Sequence, residues 1–337
     1  MTEDPGTRSV RHAPWLAAVV GVSLMLILGT LGSPGGLGIN SQTSTKVERD
    51  RNWRVIKYSI ERNDGKTVWD WFGLIGVPMT LAVLGIWFQS QEQKRASRDA
   101  EEQRRLATEE SKEETLQRYL DRVSQLLIEK DLIRQSMVVH NPIVESASDV
   151  IRARTLSVLR SFSQDGERKG SVIFFLIETD VLHKLKVSLS DSQLAGAKLA
   201  AGNLSEADLA GADLTQAYLK YTNLSKADLG AANLGAANLT EANLAEANLR
   251  AANLVGANLN GALLSGANLS RANLSGANLS GANLSGALLI GTNLSFANLT
   301  EANLSGAKLR GADLREAIFK QTICPDGKKT DTGCPVP

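Results

Sequence analysis

Only three histidines stand in the chain, His12, His140 and His183, and any chemistry that needs imidazole has to be built from them. No two are spaced to share a metal, and none has a cysteine or carboxylate cluster nearby at ligand spacing. Residues 166–171, GERKGS, contain glycines but lack the four-residue gap and terminal GK[ST] of a phosphate-binding loop, so they read as the start of a helix. Cys324 and Cys334 sit in a tail with Pro-Asp-Gly turn chemistry. They would bridge in an oxidising compartment and stay thiols in a reducing one. Ten Asn-Leu-Ser/Thr triplets from Asn203 to Asn303 match the glycosylation acceptor pattern only because a longer repeat contains it. No catalytic, cofactor-binding or metal-binding residue is assigned, no cofactor is expected, and the chain is not read as an enzyme.

The element behind those triplets is a beat of five. From Leu194 to Leu314 every fifth residue is leucine, and Phe319 falls on the same beat. Two places before each leucine stands a small residue, mostly Ala, with Ser192, Gly202, Thr222 and Thr292 as exceptions. Period five fits neither a helix nor a strand, so each unit is a short extended piece followed by a corner. If four units make one square turn, the leucine and the small residue both point inward, and leucines stack every twenty residues. Leu194, Leu214, Leu234, Leu254, Leu274, Leu294 and Leu314 form one core column, and the ring of Phe319 would plug the far end. Small residues are needed at the second inward position because larger ones would push close-packed walls apart. At a strand spacing of about 4.8 Å, roughly six and a half turns make a rod on the order of 30 Å long.

This pattern over residues 192–321 resembles the pentapeptide repeat family, and the resemblance implies a right-handed quadrilateral β-helix. Tyr218, Leu263, Leu288, Lys308 and Ile318 depart from the usual Asn or Asp but sit outward, leaving the core intact. Residues 151–160, IRARTLSVLR, with 165–182, DGERKGSVIFFLIETDVL, are similar to a segment that precedes the repeats in membrane-anchored cyanobacterial members. Some members bind DNA topoisomerases by imitating duplex DNA. That mode asks for a strongly acidic rod, whereas residues 192–321 carry nine Asp and Glu against nine Lys and Arg, far from the one negative charge per roughly 1.7 Å of duplex axis.

Upstream, residues 15–31 (WLAAVVGVSLMLILGTL) and 71–88 (WFGLIGVPMTLAVLGIWF) are uncharged and reach the lower limit for crossing a bilayer core of about 30 Å. Two transmembrane helices are therefore expected, with cleavage of the first run as a signal peptide as the alternative. Basic residues close to the runs place residues 1–14 and everything after residue 89 in the cytoplasm, with an inter-span loop at 32–70. There the two cysteines would be free thiols. Residues 89–140 form a charged helical stalk with ion pairs at helical spacing such as Glu101 with Arg105. Within it Leu116, Leu120, Val123 and Leu127 make a stripe that either packs on a neighbouring helix or joins copies as a coiled coil. Residues 141–191 are an adaptor, with Ile151, Thr155, Val158, Leu159 and Phe162 on one face. Its helices, from about 148 to 180, would cover the open first coil, because terminal coils need caps. Residues 322–337 are the tail.

A net charge of +1 gives no field to draw nucleic acid. Glu206, Lys226 and Glu246 fall in one column of alternating sign and would support adjacent strands. The functional expectation is a multi-pass membrane scaffold, its partners the lipid bilayer, a protein contacted by the rod, and in one version a second copy of itself. Tyr218, Tyr221, Leu263, Leu288 and Phe296 are candidate contacts, although they do not gather on one face. The competing readings are a duplex-mimicking topoisomerase binder and an enzyme of unrecognised class.

Overall fold

The computed structural model describes residues 42–63, 75–136 and 141–335. They belong to two compact units, Met1–Gln103 and Arg104–Pro337. The first contains a hairpin that the sequence reading left as an inter-span loop. Strand β1 (Gln42–Arg49) pairs antiparallel with β2 (Val55–Asn63), and Thr45 faces Ile60. The Asp50 carboxylate accepts from the Asn52 and Arg54 N–H groups at 2.7 and 3.2 Å, which closes the turn in which Trp53 takes a φ of 63°.

Helix α1 (Val77–Glu129) begins in this unit, and it corrects the membrane reading. Among the described residues no helix is long and apolar enough to cross a membrane. The apolar part of α1 runs only from Val77 to Phe88 before Gln89, Gln91, Glu92 and Lys94 follow on the same helix. At 1.5 Å per residue that part is about 18 Å long, against the roughly 30 Å of a hydrocarbon core. Residues 15–31, the other expected span, lie outside the described residues. The two-span, multi-pass topology and the cytoplasmic side deduced from it do not stand.

In the second unit the later turns of α1 pack within the chain. Leu116, Tyr119 and Val123 are buried, and Leu120 and Leu127 lie half-buried against the same core. The stripe meets α3 (Pro142–Ser161) and α4 (Gly166–Glu178), which follow the short α2 (Leu132–Gln135). Tyr119 bonds through its hydroxyl to Thr155 Oγ1 at 2.8 Å and sets its ring edge-on to Phe175. Pro142 sits just after the Asn141 N-cap, whose side chain accepts from the Ile143 N–H, while Asp165 caps α4 through the Arg168 N–H. A short α5 (Val181–Lys184) leads into the rod.

The rod is a four-walled β-helix. Parallel bridges join residues twenty apart along every wall, for example Gln193 with Asp213, Lys198 with Tyr218, Asn203 with Asn223 and Asp208 with Asp228. Each coil hydrogen-bonds to the next through the leucine N–H, as Leu254 does to Asn273 O at 2.7 Å. Leucine and alanine fill the interior. Leu194, Leu214, Leu234, Leu254, Leu274 and Leu294 are fully buried, whereas Leu314 and Phe319 are half-buried at the C-terminal end. The beat starts one unit earlier than the sequence reading put it, since Leu189 is buried and its N–H bonds to Asp208 O at 2.8 Å.

Candidate functional site

Walls, corners and two ends make up the working surface of the rod. The corners are tight turns: the N–H of each inward small residue bonds back to the preceding inward leucine carbonyl, as Ala257 does to Leu254 at 3.0 Å. The second of the two variable residues therefore takes a positive φ throughout, from Gly196 (69°) through Glu241 (54°) and Arg271 (62°) to Gln321 (54°). Glycine suits that position because it has no Cβ to clash. The sequence carried this signal in the glycines of the second variable position, and it went unread.

On the walls the Asn and Asp side chains satisfy the backbone. Each accepts from the N–H two residues on, as Asn253 does from Val255, and amide donors reach back one coil, as Asn253 Nδ2 does to Asn233 Oδ1 at 2.9 Å. Where threonine takes the inward small position, its hydroxyl donates to a carbonyl of the preceding coil: Thr222 to Leu199, Thr292 to Leu269 and Thr322 to Leu299. Glu206, Lys226 and Glu246 are exposed at corners with φ near 60°, and no ion pair joins them among the described residues.

The N-terminal end is covered by α4. A Cβ on Gly166 would lie 2.0 Å from the Gly196 carbonyl oxygen, and one on Gly170 would lie 2.3 Å from that of Lys198. These glycines let the helix touch the coil, and the Lys198 N–H donates to Gly166 O at 3.0 Å. Between them Lys169 is buried, its ammonium donating to Ser163 O at 2.5 Å and Ala195 O at 2.9 Å. Burial lowers its pKa, and the charges of Asp213 and Asp165 oppose the shift. Arg168 clamps α4 to α1 by reaching Glu109 at 2.8 Å and Glu113 at 3.3 Å, and it also pairs with Asp165, the N-cap of its own helix, at 2.6 Å. Bonds from Lys112 and Arg168 lower the Glu109 pKa. For Asp165, burial pulls upward, but the Arg168 N–H and guanidinium outweigh it and its pKa is lowered.

At the other end the rod continues past Phe319. Thr322 takes the next inward small position, Cys324 the next leucine position, and Ile323 bridges Asn303. Cys324 and Cys334 form a disulfide with their Cα atoms 5.4 Å apart, closing a small hairpin of β3 (Thr322–Ile323) and β4 (Lys329–Thr330). The expectation of thiols rested on the cytoplasmic placement. A bridge in this position replaces a leucine and ties the tail over the last coil.

Of the exposed apolar residues singled out from the sequence, Tyr218, Tyr221, Leu263 and Phe296 are exposed and Leu288 is half-buried. Tyr218 and Tyr221 flank one corner, with the ammonium groups of Lys198 and Lys220 at 5.5 and 4.6 Å from their ring centres. Val255 and Ile290 are exposed as well and were missed, and Ile318, placed outward from the sequence, is exposed too. Among the described residues no group of His, Cys, Asp and Glu could hold a metal ion. His183 is half-buried beside the first coil with its Nε2 buried and unpartnered, whereas His12 and His140 lie outside the described residues.

The profile of the family described as pentapeptide repeats matches residues 192–230, 227–266, 267–306 and 282–321. Among solved structures the chain is similar to Rfr23, a pentapeptide repeat protein of the cyanobacterium Cyanothece 51142. The two are 48% identical over 25% of this chain and 56% of that one, with a TM-score of 0.25. It is similar to HetL, involved in heterocyst differentiation regulation in Nostoc sp. strain PCC 7120, at 34% identity over 43% of this chain and 86% of HetL, with a TM-score of 0.21. It is also similar to QnrB1, a plasmid-mediated fluoroquinolone resistance protein, at 24% identity over 39% of this chain and 76% of that one, with a TM-score of 0.20. No curated protein matches the chain. The chain belongs to the pentapeptide repeat family, and its rod is the right-handed β-helix of that family.

Proposed function

We propose that the chain is a non-catalytic interaction scaffold whose rod presents its outer walls to a protein partner. The observation that carries this reading is a rod filled by leucine and alanine and capped at both ends, so that all its variable chemistry lies outside. A topoisomerase binder that imitates duplex DNA is the competing reading, and the balance of nine acidic and nine basic residues over 192–321 weighs against it. The test places a photo-crosslinking amino acid at Tyr221, Arg271 or Phe296, three different corners, in the full chain in its native cells. A discrete adduct that excess unlabelled chain competes away is expected from at least one position. No competable adduct from any of them, or potent inhibition in a gyrase supercoiling assay, would refute the reading.

A further inference from the structure

One strip of the rod differs from the rest in charge. Backbone bonds stack Arg250, Ser270, Ile290 and Arg310 in successive coils, since the N–H groups of Ala231, Ala251, Arg271 and Gly291 donate to their carbonyls. The adjoining bridges stack Asn248, Asn268, Leu288 and Lys308. Arg250, Arg271, Lys308 and Arg310 are all exposed, and none is in an ion pair among the described residues. No Asp or Glu takes an outward position of this strip between Asn248 and Gly311, whereas Asp208 and Asp228 occupy it nearer the helical cap. On the next wall Asp313 is already engaged by Arg315 at 2.7 and 2.9 Å.

The strip ends in a cleft of about 610 Å³. Ile290, Pro325 and Pro335 give it apolar walls, Lys308 and Arg310 line it with charge, and its one carboxylate, Asp326, lies 3.7 Å from Lys328. Pro325 and Pro335 each follow a half-cystine, so the disulfide that closes the tail also ties together two of the cleft's walls. An apolar cleft continuous with unpaired cations suits a ligand with an apolar end and a row of negative charges. Coils rise by about 4.8 Å, so Arg310 and Arg250 stand roughly 14 Å apart along the axis, about two side-chain repeats of an extended peptide. Single-stranded nucleic acid would want aromatic platforms, and Tyr218, Tyr221 and Phe296 stand on other columns.

The geometry points to this strip and cleft as the docking site for an acidic, extended peptide segment of a partner, anchored by one apolar side chain beside Ile290. The inference rests on the scaffold reading and deepens it. A fluorescein-labelled peptide of one terminal leucine followed by alternating glutamate and serine, titrated against the full chain by anisotropy, tests it. Binding that weakens with salt is expected, with no binding of the same peptide carrying glutamine for glutamate. Arg271→Gln combined with Arg310→Gln should weaken binding at least tenfold, and Ile290→Asp comparably, while Lys320→Gln on another wall leaves it unchanged; circular dichroism confirms that each variant is folded. Equal binding by the double variant, or displacement of the peptide by a lower concentration of a single-stranded oligonucleotide, would overturn the inference. If the peptide fails to bind while competable adducts still form from Tyr221 or Phe296, the inference falls and the scaffold reading stands.

Discussion

Replacing Gly166 with alanine should pry the helical cap off the rod. The new Cβ would stand 2.0 Å from the Gly196 carbonyl oxygen, a backbone atom held in a corner turn. Reaching an ordinary contact near 3.5 Å requires the start of α4 to retreat by roughly 1.5 Å. The Lys198 N–H to Gly166 O bond, now 3.0 Å, and the Lys169 ammonium to Ala195 O bond, now 2.9 Å, then fall out of range. Loss of the two bonds costs about 1–3 kcal/mol each, the larger share at the buried Lys169 ammonium, which keeps only Ser163 O, and Ala returns at most about 1 kcal/mol of helix propensity. The net loss is about 2–4 kcal/mol and local, because stacked repeats couple mainly to their neighbours. Hydrogen exchange read by mass spectrometry should show amides of 187–209 exchanging roughly thirty-fold to several-hundred-fold faster, at 1.4 kcal/mol per tenfold. Coils beyond residue 230 should keep their protection. Gly276→Ala is the contrast: its Cβ meets nothing within 4 Å, but φ is +66°, so it costs about 1–2 kcal/mol in its own turn and leaves the cap alone. Unchanged exchange at 187–209 in Gly166→Ala would refute the close-contact argument.

Leu254→Ala, in a fully buried mid-rod position, should lower the unfolding free energy by about 3–5 kcal/mol in a denaturant melt, since stacked coils on both sides limit collapse into the cavity. The Tyr119 phenol, pushed up to about 12 by burial from a usual 10.0 against the opposing Thr155 bond, stays neutral in the folded chain while the unfolded chain ionises. Its contribution is complete below pH 10 and drains away as pH rises towards 12, by roughly 3 kcal/mol. Tyr119→Phe should remove that share of the alkaline loss, and equal slopes above pH 10 for both proteins would contradict it. Reducing the Cys324–Cys334 bridge should destabilise the last coil by roughly 2–3 kcal/mol. Proteolysis should then begin after residue 320, and a tail equally resistant with and without reductant would show that the bridge does not hold it.

The leucine beat was legible because it is local and periodic: a residue that must point inward every fifth place has to be buriable, whatever surrounds it. Leu194 through Leu294 and the small residues before them declare the coil from the sequence alone. The ends of the coil were less legible because they keep the position and change the residue. Cys324 stands where a leucine would, one unit past Phe319, and its bridge to Cys334 closes the end that the sequence reading gave to the ring of Phe319. Residues 71–88 had the composition of a membrane span, but composition does not say where a helix begins. The helix α1 starts only at Val77, which leaves too short an apolar part before the charges after Phe88. Stacking also decided what is far apart in sequence: Gly166 against Gly196, Tyr119 against Thr155, and Arg250, Arg271, Lys308 and Arg310 along one strip. The chain by itself specified a neutral rod with an aliphatic interior, because five-residue periodicity leaves the core no other filling. Only the folded stack decided which surface charges pair and which stay open, because that depends on side-chain geometry at the corners and on the two caps that fix where the coils begin and end.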